Sequence, residues 1–483
     1  MAVRVRYAPS PTGAPHVGNL RTAVFDWLAA RKYGGEFIAR LEDTDRDPAR
    51  YRPEHIGEIE ESLDWLGITP DEWWVSGGPA GPYVQSERLH LYREAADRLI
   101  GMRMAYKCFC TEERLAEMRR AQQRSGAPTG YDRRCRGLSD EDVARAEADG
   151  LPHTVRLAVP LEGRTEYTDL VYGRVTCENR HVDDQVLLKS NGWPTYHLAV
   201  VVDDHHMRIT HAIRGEDWMP STPKHVMIYE ALGWEQPVWV HIPLTLGTDR
   251  KKLSKRHGST QFTDFMRGGY LPEAMFNFMV LLGWSAGEEN RELMSVDEIV
   301  ERFALEGISK TPAVFDYDKL RWMNGEHIRR CDLSRLADLC KPYIPGADAA
   351  DREYLITVLS LVRERMRLLT EASDLVGFFL RDPEAPAPEG QRKWLTGPEA
   401  ARRLSLTASA VADAPDPWNS QAAEASINRV AEEMATPRAP VIHTTRVAVS
   451  GQTVGPGIFE MLEAMGRERV LRRLRRALEW VSD

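Results

Sequence analysis

The sequence has no long apolar run. Its most hydrophobic stretch, Met275 to Trp284, is 10 residues long and is interrupted by Asn277, whereas a bilayer-spanning helix needs about 20 apolar residues. The opening residues, Met1-Ala2-Val3-Arg4-Val5-Arg6, lack the apolar core of an export signal. Cysteine is scarce, at 6 of 483 residues, which excludes a disulfide framework and leaves reduced thiols or a metal site. These absences predict a cytoplasmic protein with no membrane partner. Basic charge is not in excess either: 63 Lys and Arg stand against 72 Asp and Glu, a net charge of −9. That excludes a globally basic nucleic-acid binder and leaves only local basic patches to meet a polyanion. No internal repeat or long low-complexity tract is present. What remains is ordinary globular composition, 42% hydrophobic and 28% charged, in a chain long enough for about three domains.

Read in order, Val3, Val5 and Tyr7 alternate with Arg4 and Arg6, which predicts a short strand. The stretch Ala8 to Pro15 carries three prolines, which exclude helix. After His16-Val17-Gly18-Asn19, Leu20, Val24, Trp27 and Leu28 fall at helical spacing, and Gly34-Gly35 stops the helix. Phe37, Ile38 and Leu41 predict a second strand ending in Glu42-Asp43-Thr44-Asp45. A helix with Ile56, Ile59, Leu63 and Leu66 on one face follows. This alternation predicts a parallel α/β sheet. The pattern breaks near Gln85 and resumes near Pro194, as an insertion would make it do. Thr195 to Asp204 and Val238 to Leu246 read as further buried strands. Beyond Lys255 the chain reads mostly helical, at Leu271 to Trp284, Val296 to Phe303 and Leu333 to Tyr343. Proline-rich links are expected at Asp382 to Pro388 and Asp413 to Pro417.

Two segments carry chemistry. The first strand-to-helix loop delivers His16 and Gly18 to a helix N-terminus, where unpaired N–H groups and a partial positive charge receive phosphate. The basic run Lys252-Leu253-Ser254-Lys255-Arg256 follows a strand and Gly247. A cationic loop there could close on a triphosphate, because nucleotidyl transfer rests on positioning and charge neutralisation. Taken alone, the first reads equally as a tight turn with a surface histidine, and the second as a solvated loop.

Together they resemble the paired signatures of class I aminoacyl-tRNA synthetases. Further motifs resemble the bacterial-type glutamyl branch: Arg6 to Gly13, Arg40-Leu41-Glu42-Asp43-Thr44-Asp45-Arg46, Pro194 to Ala199, Val201-Val202-Asp203-Asp204, Ile213 to Trp218, Lys319 to Gly325 and Gly455 to Glu460. The resemblance covers nearly the whole chain. It implies a Rossmann-like parallel-sheet catalytic domain split over 1–87 and 195–255, with an inserted α+β acceptor-binding domain over 88–194. A stem-contact domain over 256–328 and an all-α anticodon-binding region over 329–483, linked internally near 382–398, would follow. The implied reaction ligates L-glutamate to tRNA(Glu): glutamate attacks the α-phosphate of ATP, and the terminal ribose of the tRNA then takes the acyl group. ATP with Mg2+ is the implied cofactor pair, and a monomer the implied state. By resemblance His16, Asn19, Lys252 and Lys255 are catalytic. His16, Gly18, Asn19, Asp217, Trp218, Leu244, Thr245, Lys252, Leu253, Ser254, Lys255 and Arg256 would hold ATP. Asn19 stands where the family usually has a final histidine, so it donates without charge.

The glutamate pocket has a physical logic of its own. Two carboxylates and an ammonium call for two guanidinium groups and a carboxylate. Arg6, Arg214 and Glu42 lie near predicted strand ends, where open α/β sheets bind ligands. By resemblance Arg6 and Arg214 take the carboxylates and Glu42 the ammonium, with Pro9, Ser10 and Tyr196 completing the pocket. Val200 replaces an asparagine of some relatives. Cys108, Cys110 and Cys135 sit close enough in sequence to hold zinc, which wants four ligands. The fourth is absent at Gly137, leaving Tyr131 by resemblance, with Asp132 as an alternative and inert buried thiols as the other reading. Cys177, Cys331 and Cys340 read as core residues. The arginines from Arg467 to Arg476 read mostly as the charged face of a packed helix, and Arg365, with Arg363 and Arg367 on a helical stretch, by resemblance reads the third anticodon base. A glutaminyl enzyme would carry β-barrel anticodon domains and smaller nucleotidyltransferases lack such a helical third. An enzyme that also charges tRNA(Gln), or an inactive tRNA-binding paralogue, stays open at this stage.

Overall fold

The computed structural model describes residues 2–287 and 291–482. They divide into two compact units, one of residues 2–266, 275–287 and 291–316, the other of 267–274 and 317–482.

The first unit is built on a parallel sheet. Strand β1 (Arg4–Tyr7) leads to helix α1 (Val17–Lys32), then β2 (Glu36–Ala39), with β1 and β2 paired in parallel, Arg6 opposite Ile38. Helix α2 (Tyr196–His206), strand β3 (His211–Gly215), helix α3 (Thr222–Leu232) and strand β4 (Val238–Ile242) follow, and β3 and β4 pair in parallel. β1 lies beside the start of β3, where the Thr210 N–H donates to the Arg4 carbonyl at 2.9 Å. The strand Arg164–Asp169 extends this sheet, meeting β4 through Asp169 opposite Trp239 and pairing antiparallel with Gly173–Glu178. A separate antiparallel three-stranded sheet, Ala105–Cys108, Thr154–Leu157 and Val186–Leu188, lies in the same intervening segment. Val5, Arg6 and Tyr7 are all buried, so β1 sits inside the sheet with no solvent face.

The run Thr195 to Asp204, expected as a strand, is instead α2. Every residue from Leu198 to Asp204 is buried. An element covered on all sides shows neither a period of 2 nor one of 3.6, so a continuous apolar run cannot separate the two. Val238 to Leu246 holds β4 and the two-residue strand Thr245–Leu246. The helices expected at 271–284, 296–303 and 333–343 are Pro272–Leu281, Val296–Arg302 and Leu333–Cys340.

The second unit is helical. Its core joins Leu336, Leu355, Leu359, Val376, Leu404, Val447, Met461 and Leu474. Both proline-rich stretches connect helices: residues 381–387 lie between Ala372–Leu380 and Pro388–Trp394, and residues 413–419 between Pro398–Ala412 and Ser420–Glu433. Helix Arg467–Ala477 buries Arg473, which donates to Asp382 Oδ1 at 2.9 Å and to the Val449 carbonyl at 2.6 Å. Arg469 donates to Tyr354 Oη at 2.8 Å. These arginines are structural ties, while Arg475 and Arg476 face solvent. Arg363–Arg365 forms one 3-10 turn rather than part of a longer helix, and Arg367 lies beyond it. No helix among the described residues is long and apolar enough to cross a membrane.

Candidate functional site

At the C-terminal ends of β1, β3 and β4 opens a cleft of about 890 Å³. Chain reversals at those ends place the expected residues around it. Arg6, Pro9, Ser10, Glu42, Tyr196 and Arg214 line one part. His16, Gly18, Asn19, Asp217, Trp218, Leu244, Thr245, Lys252, Leu253 and Ser254 line the rest. Val200 is buried in the core of α2 and does not line the cleft. Arg256 is exposed on the basic loop. Lys255 opens the 3-10 turn Lys255–His257, and its side chain lies outside the described residues.

The N-terminus of α1 is prepared for an anion. Its first turn has no acidic residue, and His16 caps it from an extended backbone. The Asn19 N–H donates to His16 Nδ1 at 3.3 Å, so the neutral imidazole carries its proton on Nε2 and offers it as a donor. Enclosure by the cleft walls, and then the Lys252 charge, hold His16 below its ordinary basicity. A Cβ on Gly18 would come within 3.1 Å of the His16 ring, so glycine there makes room for the capping histidine.

Opposite stands the basic loop. It folds back through Gly247 N–H to the Lys251 carbonyl, 2.8 Å, and Leu253 N–H to the Thr245 carbonyl, 2.9 Å. A Cβ on Gly247 would lie 2.5 Å from the His257 ring, and His257 Nε2 meets Asp249 Oδ1 at 2.9 Å. The exposed Lys252 ammonium pairs with Asp217 at 2.9 Å. The Trp218 ring lies over that of Tyr196, centroids 4.1 Å apart, and the Leu244 N–H is fixed by Glu216 Oε1 at 2.8 Å.

Beneath the pocket lies a buried ionic network that ties Arg6 and Glu42 to Arg40, Asp203 and Asp204, three residues for which the sequence suggested no role of their own. Arg6 Nε donates to both oxygens of Asp204, at 3.0 and 3.1 Å. Arg40, with no exposed surface, reaches Asp204 at 2.8 Å, Glu42 at 3.1 Å and Asp203 at 3.5 Å. Asp203 further receives Arg88 at 2.6 Å, Gln85 at 2.8 Å and Tyr92 at 2.9 Å. Burial raises the Glu42 carboxyl to about 7, against the pull of Arg40. An arriving cation would restore its charge. Arg40 belongs to the sequence motif Arg40-Leu41-Glu42-Asp43-Thr44-Asp45-Arg46, and Asp203 and Asp204 to Val201-Val202-Asp203-Asp204, but only the fold brings them together.

Arg214 differs from Arg6. It is buried, yet its partners are neutral: His241 Nε2 at 3.1 Å, His225 Nδ1 at 3.1 Å, Thr222 Oγ1 at 2.8 Å and Tyr196 Oη at 3.4 Å.

The thiols expected to bind metal do meet. Cys108, Cys110 and Cys135 place their sulfurs within 4.8 Å of one another. Tyr131 Oη lies 3.3 Å from Cys108 Sγ and 3.4 Å from Cys110 Sγ. Asp132, the alternative ligand, is paired with Arg114 instead. Three close sulfurs and a phenol oxygen suit a tetrahedral soft-ligand metal such as zinc. Arg365 is exposed at the end of its turn.

Comparison with known proteins identifies the family. Residues 2–322 match the family model of the class I tRNA synthetase catalytic domain (E and Q), and residues 335–478 match that of an anticodon binding domain. The glutamate–tRNA ligase of Moorella thermoacetica is 44% identical over 489 aligned positions, covering 100% of this chain and 99% of its own. That of Dehalococcoides mccartyi strain 195 is 45% identical over 488, with 100% and 99% covered. The crystal structure of a glutamate tRNA ligase from Elizabethkingia meningosepticum in complex with its amino acid superposes with a TM-score of 0.90 at 33% identity, covering 100% of both chains. With its cleft built from the two expected signatures and its whole length matched by such relatives, the chain belongs to the glutamate–tRNA ligase family of class I synthetases.

Proposed function

We propose that this chain ligates L-glutamate to tRNA(Glu) through a glutamyl-adenylate, releasing diphosphate and then AMP. The observation that carries the reading is the cleft itself. It joins an anion-ready helix N-terminus and a basic loop to a pocket with two guanidinium groups and one buried carboxylate. Glutamate's ammonium fits Glu42, and its two carboxylates fit Arg6 and Arg214. Pro9, Ser10 and Tyr196 close the pocket. His16 Nε2–H and the α1 N–H groups face phosphate, with Gly18 and Asn19 in the same turn. Lys252 and Lys255 neutralise charge that develops at phosphorus and on the leaving diphosphate. Trp218, Leu244 and Thr245 flank the base and ribose region, and Leu253, Ser254 and Arg256 carry the loop. ATP arrives with magnesium, as in class I synthetases generally. The carboxylates lining the cleft are Glu42, Asp45 and Asp217, and Asp217 is paired, so the phosphates of ATP are the better magnesium ligands. ATP–diphosphate exchange dependent on L-glutamate, followed by charging of tRNA(Glu), tests the whole reading; absence of both would refute it.

The thiol cluster is read as a zinc site of Cys108, Cys110, Cys135 and Tyr131. A metal there would staple the segment that joins Ala105–Cys108 to the turn at Cys135 and leave the chemistry to the cleft. Purified protein is expected to hold about one zinc per chain and Cys110→Ser to lose it, with adenylate formation unchanged. Elemental analysis finding no zinc in chelator-free preparations would return the thiols to inert core.

Arg365 is read as a contact to the third anticodon base. A bidentate arginine–base contact is worth about 1–3 kcal/mol in the analogous DNA case. Arg365→Gln should therefore lower discrimination between glutamate and glutamine tRNAs roughly ten- to a hundredfold, leaving glutamate activation alone. Equal weakening on both tRNAs with a flatter salt dependence would make it a phosphate contact.

A further inference from the structure

We propose that His225 and His241, the latter backed by Asp169, are positioning residues for Arg214 and thereby set the preference for a side-chain carboxylate over a carboxamide. The inference rests on the reading that the cleft activates glutamate.

Arginine can only donate hydrogen bonds, so it fixes the direction of every bond around it. Arg214 Nε–H donates to His241 Nε2, which leaves the His241 proton on Nδ1, pointed at Asp169 Oδ2 2.6 Å away. Arg214 Nη1 donates to His225 Nδ1, so His225 carries its proton on Nε2 and donates to His197 Nδ1 at 3.1 Å. Arg214 Nη2 donates to Thr222 Oγ1 at 2.8 Å, whose hydroxyl passes on to the Trp218 carbonyl at 3.2 Å. The result is one connected chain in which donation runs outward from Arg214 in two directions, through His225 to His197 and through His241 to Asp169. Burial is the main reason that both ring systems stay neutral, since it lowers His225 far below its ordinary value and lowers His241 too.

The choice of neutral acceptors has a consequence. Among the described residues Arg214 has no carboxylate ion-pair partner, whereas Arg6 is already paired with Asp204 at 3.0 Å. A carboxylate in place of either histidine would hold Arg214 equally well but cancel its charge. Two imidazoles hold the guanidinium on two sides and leave its charge for a ligand. The α-carboxylate must stay free to attack ATP, so a buried, clamped guanidinium suits the non-reacting side-chain carboxylate. An amide there would leave the buried charge unanswered.

The test is ATP–diphosphate exchange with tRNA present, measuring KM for glutamate, KM for ATP, kcat and the glutamate-to-glutamine ratio of kcat/KM. For His225→Leu and His241→Leu we expect KM for glutamate to rise about tenfold to a hundredfold and the ratio to fall by a similar factor. KM for ATP and kcat should stay within about twofold. His225→Asn, which keeps an acceptor oxygen, should recover much of the loss. Because His225 is fully buried, thermal unfolding of each variant is followed in parallel. Should one leucine variant not fold, the other and Asp169→Asn carry the test, Asp169→Asn with a smaller fall in the ratio. Proportional rises in both KM values, or an unchanged ratio in folded variants, would overturn the clamp while wild-type glutamate activation stands. A wild-type protein that activates no glutamate would overturn both readings together.

Discussion

Replacing Arg214 by glutamine is expected to raise the KM for glutamate by roughly two to three and a half powers of ten. Removing one partner of a buried charge pair costs about 3–5 kcal/mol, and each 1.4 kcal/mol is a factor of ten. The substrate carboxylate would enter a pocket whose neutral walls of His225, His241 and Thr222 cannot answer its charge. KM for ATP should barely move, because among the described residues Arg214 makes no bond to the α1 N-terminus or to the basic loop. Glutamate-dependent exchange kinetics decide the matter, and a rise below tenfold would show that Arg6 alone carries the recognition.

Lys252→Ala is the second large effect. Its ammonium is exposed and held by Asp217, so its loss perturbs no core. Loss of one donor to charge that forms in the transition state costs about 2.7–4 kcal/mol, or a hundred- to a thousandfold in rate. Rapid-quench measurement of glutamyl-adenylate should show that fall with glutamate affinity retained. Asp217→Asn is the control, since freeing the lysine should not reproduce the loss. An unchanged adenylate rate in Lys252→Ala would remove the loop from the chemistry.

Much of this was legible in the sequence. The two segments around His16 and Lys252 were visible because prolines, glycines and paired lysines are local signals, and the structure places both along one cleft. That Arg6, Arg214 and Glu42 would line one cleft was legible because strand ends in a parallel sheet converge. α2 was misread because burial on every side erases its period. His225, His241 and Asp169 were not found at all. Asp169 and His241 are 72 positions apart in the chain, and nothing in a lone buried histidine announces that an arginine will point at it. Arg40 and Asp203 show the same limit: motif membership was visible, but that they share a single network depended on α2 being a helix that turns both aspartates inward.

That network has a bearing on how the pocket can change over generations. Arg6, Arg40 and Arg88 face Asp203 and Asp204, and Glu42, whose carboxyl burial raises to about 7, completes the network. Exchange of any one strands a charge in the interior, at about 3–5 kcal/mol, a large part of what holds a domain folded. Drift at these positions must therefore proceed by compensated pairs or not at all. Random libraries aimed at new amino-acid substrates would lose most such clones to misfolding before selection acted on them. Viable diversity would concentrate at cleft-lining positions outside the network, where a side chain can change without bankrupting the charge balance below it.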